Sequence, residues 1–207
     1  MLSQIFEHFR VDRTKLLLGV RMRAEIRSMQ WYIPTINLDE CSYIFAEQPA
    51  WTKEPFFQNA LQPALKAQLN DPAYLEKTLK SPRVPIFKRA VATNQANVKA
   101  LYDAGVKVAF GTDPGAIPPR IPGFAEHREL QLMVASGLTP LQTISCATSR
   151  AAALLGLSDR GRLTPGKLAD FVVLSANPLD DITNTEKIAA VWHRGKKAAG
   201  PVMSFSQ

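Results

Sequence analysis

Apolar positions recur at helical spacing from Thr93: this residue is a candidate N-cap, Val98, Leu101 and Tyr102 share a face, and Gly105 sits where a terminating glycine belongs. The period then drops to two in Val106–Phe110, a short strand with Val106, Val108 and Phe110 on one side. Helix, glycine and strand in that order are half of an αβ repeat, which predicts a parallel sheet and an α/β fold class. A second helix is predicted from about 125 to 136, with Leu130, Met133 and Val134 inward and Gly137 closing it. A third starts at the Thr139-Pro140 cap and carries Leu141, Ile144, Ala151, Leu154 and Leu155 to a stop at Gly156.

The flanking regions follow other patterns. Leu2–Phe9 is an apolar, strand-like run without a polar lead-in, so the chain is expected to begin inside a domain. Arg21–Ser28 is polar and helix-compatible, and "MQWYIPTIN", Met29–Asn37, predicts a buried strand closed by Pro34. In residues 41–92, Pro49, Pro55, Pro63, Pro72, Pro82 and Pro85 interrupt short helical patterns, which predicts a lid or binding loop. From Ser158 the pattern reads turn, strand, turn, then a strand into a tight turn at Arg194-Gly195. Two units are expected: residues 1–157, and a small β module over 158–207. No internal repeat is visible.

Composition adds little to this division. The 207 residues are 46% hydrophobic and 21% charged, ordinary for a globular protein. The net charge of +7 raises the question of nucleic acid, but the basic residues are scattered and no aromatic-interleaved platform groups them, so no nucleic-acid partner is expected. Glu7 and Arg10 fall too early for a signal peptide, and there is no apolar run of about 18 residues, so no membrane span is expected. Cys41 and Cys146 lie far apart and read as buried thiols in a reducing compartment, with a cytoplasmic location as the expectation.

The candidate chemistry centres on "VAFGTDPG", where an apolar strand ends in a carboxylate. A carboxylate at the carboxyl end of a parallel strand faces the mouth where α/β folds bind ligands, and carboxylates ligate catalytic metals. Thr-Asp-Pro-Gly is equally a good turn sequence. The residues alone leave both readings of Asp113 open.

The stretch "LTPLQTISCATSRAAALLGLSDRGRLTPGKLADFVVLSANPLDDI", then "IAAVWHRGKK", resembles the C-terminal part of the amidohydrolase superfamily, closest to its imidazolonepropionase-like and prolidase-like members. "NVKALYDAGVKVAFGTD" resembles the helix and eighth barrel strand that end in that family's metal-site aspartate, "WYIPTI" its seventh strand and "QIFEHF" its sixth. Pro114 and Phe9 replace the small residue and the glycine usual at those places. The resemblance implies strands six to eight of a TIM-like (β/α)8 barrel followed by part of a composite β-sandwich. It implies a zinc-dependent hydrolase, with one or two metal ions, acting on C–N bonds other than peptide bonds. Asp113 would be the catalytic residue and, with His8, a metal ligand, shuttling a proton from metal-activated water to the leaving nitrogen. For His8 a surface histidine is the competing reading. Arg120 and His127 are candidate substrate contacts, a helix-terminal surface residue being the other reading of His127; His193 reads as structural. The chain has three histidines and no His-x-His pair, so the family's other ligands are not in it. It is expected to be incomplete alone and to join a missing N-terminal half or a second copy; the alternative is a non-catalytic remnant that folds by pairing with another chain.

Overall fold

The computed structural model describes residues 30–115 and 117–199. The strands β1 (Trp31–Tyr32) and β2 (Lys107–Val108) pair in parallel, in the register Trp31 with Lys107 and Tyr32 with Val108. Ala109 N donates to Tyr32 O at 2.9 Å, extending the pairing past the last ladder residue. Val108 and Ala109 are fully buried, as an interior strand requires. Both strands are shorter than the apolar runs that predicted them. Pro34 has no N–H to continue the first one.

The largest departure lies between those strands. Residues 41–92 are not a lid or loop but a run of short helices. After α1 (Asn37–Glu40) come 3₁₀ turns at Ile44–Glu47 and Ala50–Lys53, then α2 (Pro55–Ala60), α3 (Pro63–Leu69) and α4 (Pro72–Leu79). Each of these last three helices starts on the proline that seemed to interrupt it. Proline is pre-set for the first helical turn, where its missing N–H costs nothing. Asp71 Oδ1 adds a cap on Ala73 N at 2.9 Å.

The helix predicted from Thr93 is α5, Val84–Asp103, and Thr93 lies in its middle rather than at its cap. Val84, Val91 and Val98, seven apart, are its buried stripe, and Pro85 occupies the first turn. Gly105, at φ 81°, ends it as expected. Next come α6 (Phe124–Ala135) and α7 (Pro140–Ser145), the latter capped by Thr139, whose Oγ1 accepts from Gln142 N. A π turn at Cys146–Arg150 leads into α8 (Ala151–Leu154). The inserted residue of a π turn rotates the helix face. Leu155, an apolar position of the predicted third helix that lies beyond the turn, is exposed, as is Leu141 ahead of it.

Two clusters make the core. Ile36, Val91, Val98, Val108, Leu132, Met133 and Cys146 pack between α5, α6 and the parallel pair. Phe45, Phe57, Leu65, Ile121 and Phe124 form a second, aromatic one with Trp51 and Phe56. The Trp51 and Phe124 rings stack at 5.3 Å, and Phe57 meets Phe124 edge-on at 4.9 Å.

Beyond Leu157 the strands β3 (Phe171–Leu174), β4 (Ile188–His193) and β5 (Lys196–Ala199) form an antiparallel sheet in that order. Arg194 and Gly195, at φ 49° and 75°, make the tight two-residue turn between β4 and β5. His193 Nδ1 lies 3.1 Å from Asp170 Oδ1, which also accepts from Arg194 N, so its contacts are those of a hairpin residue. Val172 and Val173, on opposite faces of β3, are both exposed, so the described residues cover each face only in part. Among those residues no helix is long and apolar enough to cross a membrane.

Candidate active site

Because β1 and β2 run parallel, the chain leaves both at the same end, and the loops that follow lie side by side. Gly111 brings them into contact. A Cβ at Gly111 would sit 2.7 Å from Ile33 Cγ2 and 3.9 Å from Thr35 Cγ2. Gly111→Ala is therefore expected to cost about 1–2 kcal/mol, since Ile33 must leave its rotamer to make room. A shift in the urea midpoint checks this, and an unchanged midpoint would show that the loops part freely.

Asp113 follows on the β2 side. It is exposed, its backbone is left-handed at φ 48°, and its carboxylate has no partner among the described residues. A residue before proline is pushed toward extended conformations, so this geometry is costly twice over and must be imposed by its surroundings. The neighbouring Thr112, 5% exposed, supplies the restraint. Its Oγ1 donates to Glu126 Oε1 at 3.2 Å, while Glu126 Oε2 accepts from Gly123 N at 2.7 Å at the start of α6. The loop beyond Asp113 is closed by Gly115 N donating to Arg120 O at 2.8 Å.

Arg120 thus starts from the same loop. Its side chain turns inward to Cys41, and its Nε is buried without a hydrogen-bond partner among the described residues. Burial pushes the Cys41 thiol up to about 11 in spite of the guanidinium beside it. His127, one turn into α6, points toward the β module: its Nδ1 lies 3.0 Å from Thr185 Oγ1. The Thr185 hydroxyl donates to Ile182 O at 2.8 Å, so it accepts from His127 Nδ1–H, which leaves Nε2 with the lone pair. Burial, opposed by the Glu126 carboxylate, lowers the His127 pKa and favours this neutral ring. The Phe56 ring meets it edge-on at 4.9 Å. His8 lies outside the described residues.

On the β1 side, Glu129 of α6 is 0% exposed and its carboxylate accepts from Ile36 N at 2.9 Å and Asn37 N at 2.7 Å. Burial pushes its pKa up to about 7, against the lowering effect of those two bonds. Next to it Arg128 makes a two-pronged ion pair with the buried Glu40, at 2.6 and 2.8 Å, and lies over the Trp51 ring. These groups escaped the sequence reading because their partners are about ninety residues away in the chain. The one local signal was the run Glu126-His127-Arg128-Glu129, three of them charged, inside an otherwise largely apolar helix.

What α6 does for the site is therefore clear: Glu126 fixes the turn bearing Asp113, and Glu129 fixes the turn after β1. Among the described residues no three His, Cys, Asp or Glu side chains converge as a metal site would require. The loop after β2 offers one such carboxylate, Asp113, short of the roughly three protein ligands of a catalytic zinc.

Residues 62–198 match the sequence pattern that defines the amidohydrolase family. The chain is 40% identical over 105 residues to an imidazolonepropionase of Deinococcus deserti, covering 48% of this chain and 25% of that protein. It is 38% identical over 104 residues to an ochratoxinase of Aspergillus niger, covering 47% of this chain and 20% of that one. Among solved structures, a putative prolidase from Bifidobacterium longum superposes with a TM-score of 0.55 at 27% identity, over 84% of this chain and 36% of its own. The matched part is thus a quarter or less of those curated relatives, and about a third of that structure.

Proposed function

Because the chain belongs to the amidohydrolase family, we propose that it is part of a metal-dependent hydrolase that cleaves an amide-like C–N bond, with Asp113 as its catalytic carboxylate. In this reading β1 and β2 are the seventh and eighth strands of a (β/α)8 barrel, residues 1–157 belong to that barrel and residues 158–207 to the β-sandwich module. The observation that carries the reading is Asp113: a strained carboxylate, without a partner among the described residues, in the loop at the carboxyl end of a parallel strand, held by a neighbour that is itself tied to the next helix.

Asp113 and His8 would be the residues of this chain that hold zinc, or another divalent ion, together with ligands from polypeptide that the chain does not contain. The ion would supply an activated water. The chain's own part is to aim a carboxylate and to move a proton with it: Asp113, free of partners among the described residues, accepts a proton and returns it to the leaving nitrogen. Of the two candidate substrate contacts, His127 keeps a free lone pair on Nε2, whereas the Arg120 side chain turns inward to Cys41 and would reach substrate only by leaving it.

A second reading is a non-catalytic remnant that folds by pairing with another chain, with which the lack of a metal-capable cluster among the described residues is compatible. Metal content and native mass separate the two. The hydrolase reading expects the native protein to be associated with further polypeptide, to retain stoichiometric metal through dialysis and to release amine from N-acyl amino acids. A native species that pairs with another chain but holds no metal and hydrolyses nothing overturns it.

A further inference from the structure

Four described non-glycine residues have a left-handed backbone: Thr35, Gln48, Asp113 and Arg194. For two the chain path gives the reason. Arg194 stands in a two-residue hairpin turn that demands it, and Gln48 ends a 3₁₀ turn. Thr35, at φ 44°, is different, because it is the one β-branched residue of the four, and such residues suffer most in this conformation. A residue needed only to turn the chain would be glycine or asparagine at lower cost.

The surroundings hold Thr35 there. Glu129 grips the two backbone N–H groups that follow, at Ile36 and Asn37, and Leu38 N donates to Thr35 O at 3.2 Å. Its methyl lies over Gly111, in the loop that leads to Asp113. Its hydroxyl has no hydrogen-bond partner among the described residues, and the residue is half-buried. Strain of this kind gathers where a side chain must be presented rather than packed. The two strained residues, Thr35 and Asp113, lie in the loops that leave β1 and β2 at the same end of the sheet.

We propose that Thr35 is a substrate-contacting residue, its hydroxyl donating a hydrogen bond to an acyl or carboxylate oxygen of the amide bound beside Asp113. This rests on the hydrolase reading, and the experiment separates the two. It uses the assembled enzyme, N-acyl amino acids and their primary carboxamides as probes, and the variants Thr35→Val, Thr35→Ser, Thr35→Asn and Asp113→Asn.

Thr35→Val, nearly the same shape without the hydroxyl, is expected to lower kcat/KM about tenfold, the scale of one neutral hydrogen bond, with the urea midpoint unmoved. Thr35→Ser, which keeps the hydroxyl, restores most of the loss. A Thr35→Val loss shared by acids and carboxamides places the contact on the acyl oxygen; a loss confined to the acids places it on the carboxylate. Thr35→Asn relieves the backbone and is expected to raise the midpoint while lowering kcat/KM. If Asp113→Asn is inactive but Thr35→Val stays within about twofold of the parent on both probes, the contact is wrong and the hydrolase reading stands. If Asp113→Asn keeps the parent rate, the hydrolase reading falls first and takes the contact with it. A Thr35→Asn midpoint that drops shows the position is relaxed and removes the basis of the proposal.

Discussion

If the chain is part of a hydrolase as proposed, Asp113→Asn is expected to cut kcat of the assembled enzyme by about 10²–10⁴-fold, the span that positioned proton-transfer groups contribute, while the unfolding midpoint stays where it was. Two features of the site make this substitution informative. The Asp113 side chain is exposed and bonded to nothing among the described residues, so the amide loses no structural contact. The backbone there is left-handed at φ 48°, and asparagine tolerates that conformation as aspartate does, whereas alanine would confound lost chemistry with added strain. A variant that keeps the parent kcat removes Asp113 from the reaction. One that is inactive and also melts early would mean the carboxylate has a structural task.

Stability of the described fold is expected to fall as pH rises from about 4.5 to 7, and Glu129 is the cause. Its folded pKa of about 7 lies above the ordinary value of 4.5, because burial penalises the carboxylate more than the Ile36 and Asn37 N–H groups favour it. Glu40 nearby raises it further and Arg128 opposes this. The native state therefore holds a proton that the unfolded chain has already released. The contribution is complete below about 4.5 and is lost as pH passes through about 7. Its size is on the order of 3 kcal/mol. Urea midpoints at pH 5 and pH 8 measure it, and Glu129→Gln should flatten the difference by that amount. Glu129→Ala is expected to be far worse at either pH. It leaves two buried N–H groups unpaired, at about 1–3 kcal/mol each, and empties the space the side chain filled. A parent and a Glu129→Gln chain with the same pH slope would show that Glu129 is not the group titrating.

Some of this was legible in the sequence for local reasons. Gly105, Gly137 and Gly156 all carry positive φ and end the helices they were expected to end, since the reason for a glycine there is confined to one residue. Thr139-Pro140 caps α7 through its own hydroxyl. The parallel relation of the two short strands followed from the helix–glycine–strand order, because a crossover of that kind joins parallel strands. The family, too, was carried by local words such as "LTPGKLADFVVL", whose turns and strand occur together.

Residues 41–92 show where local reading fails. Proline breaks a helix or begins one according to whether the preceding residue already belongs to that helix, and composition does not say which. What decides is the aromatic cluster of Phe45, Trp51, Phe57 and Phe124, which gives those short helices a surface to pack on. None of them is long enough to be stable without it.

By itself, then, the order of residues determined the caps, the stops, the parallel pairing and the kinship, all of which depend on neighbours a few positions apart. Only tertiary structure decided that Glu129 would reach the turn after β1, that Arg128 would pair with Glu40, and that Thr112 and Glu126 would hold Asp113 in a left-handed turn. The physical reason is that a buried polar group must find its partner through space, and these partners sit on elements that meet only once the core has closed around them.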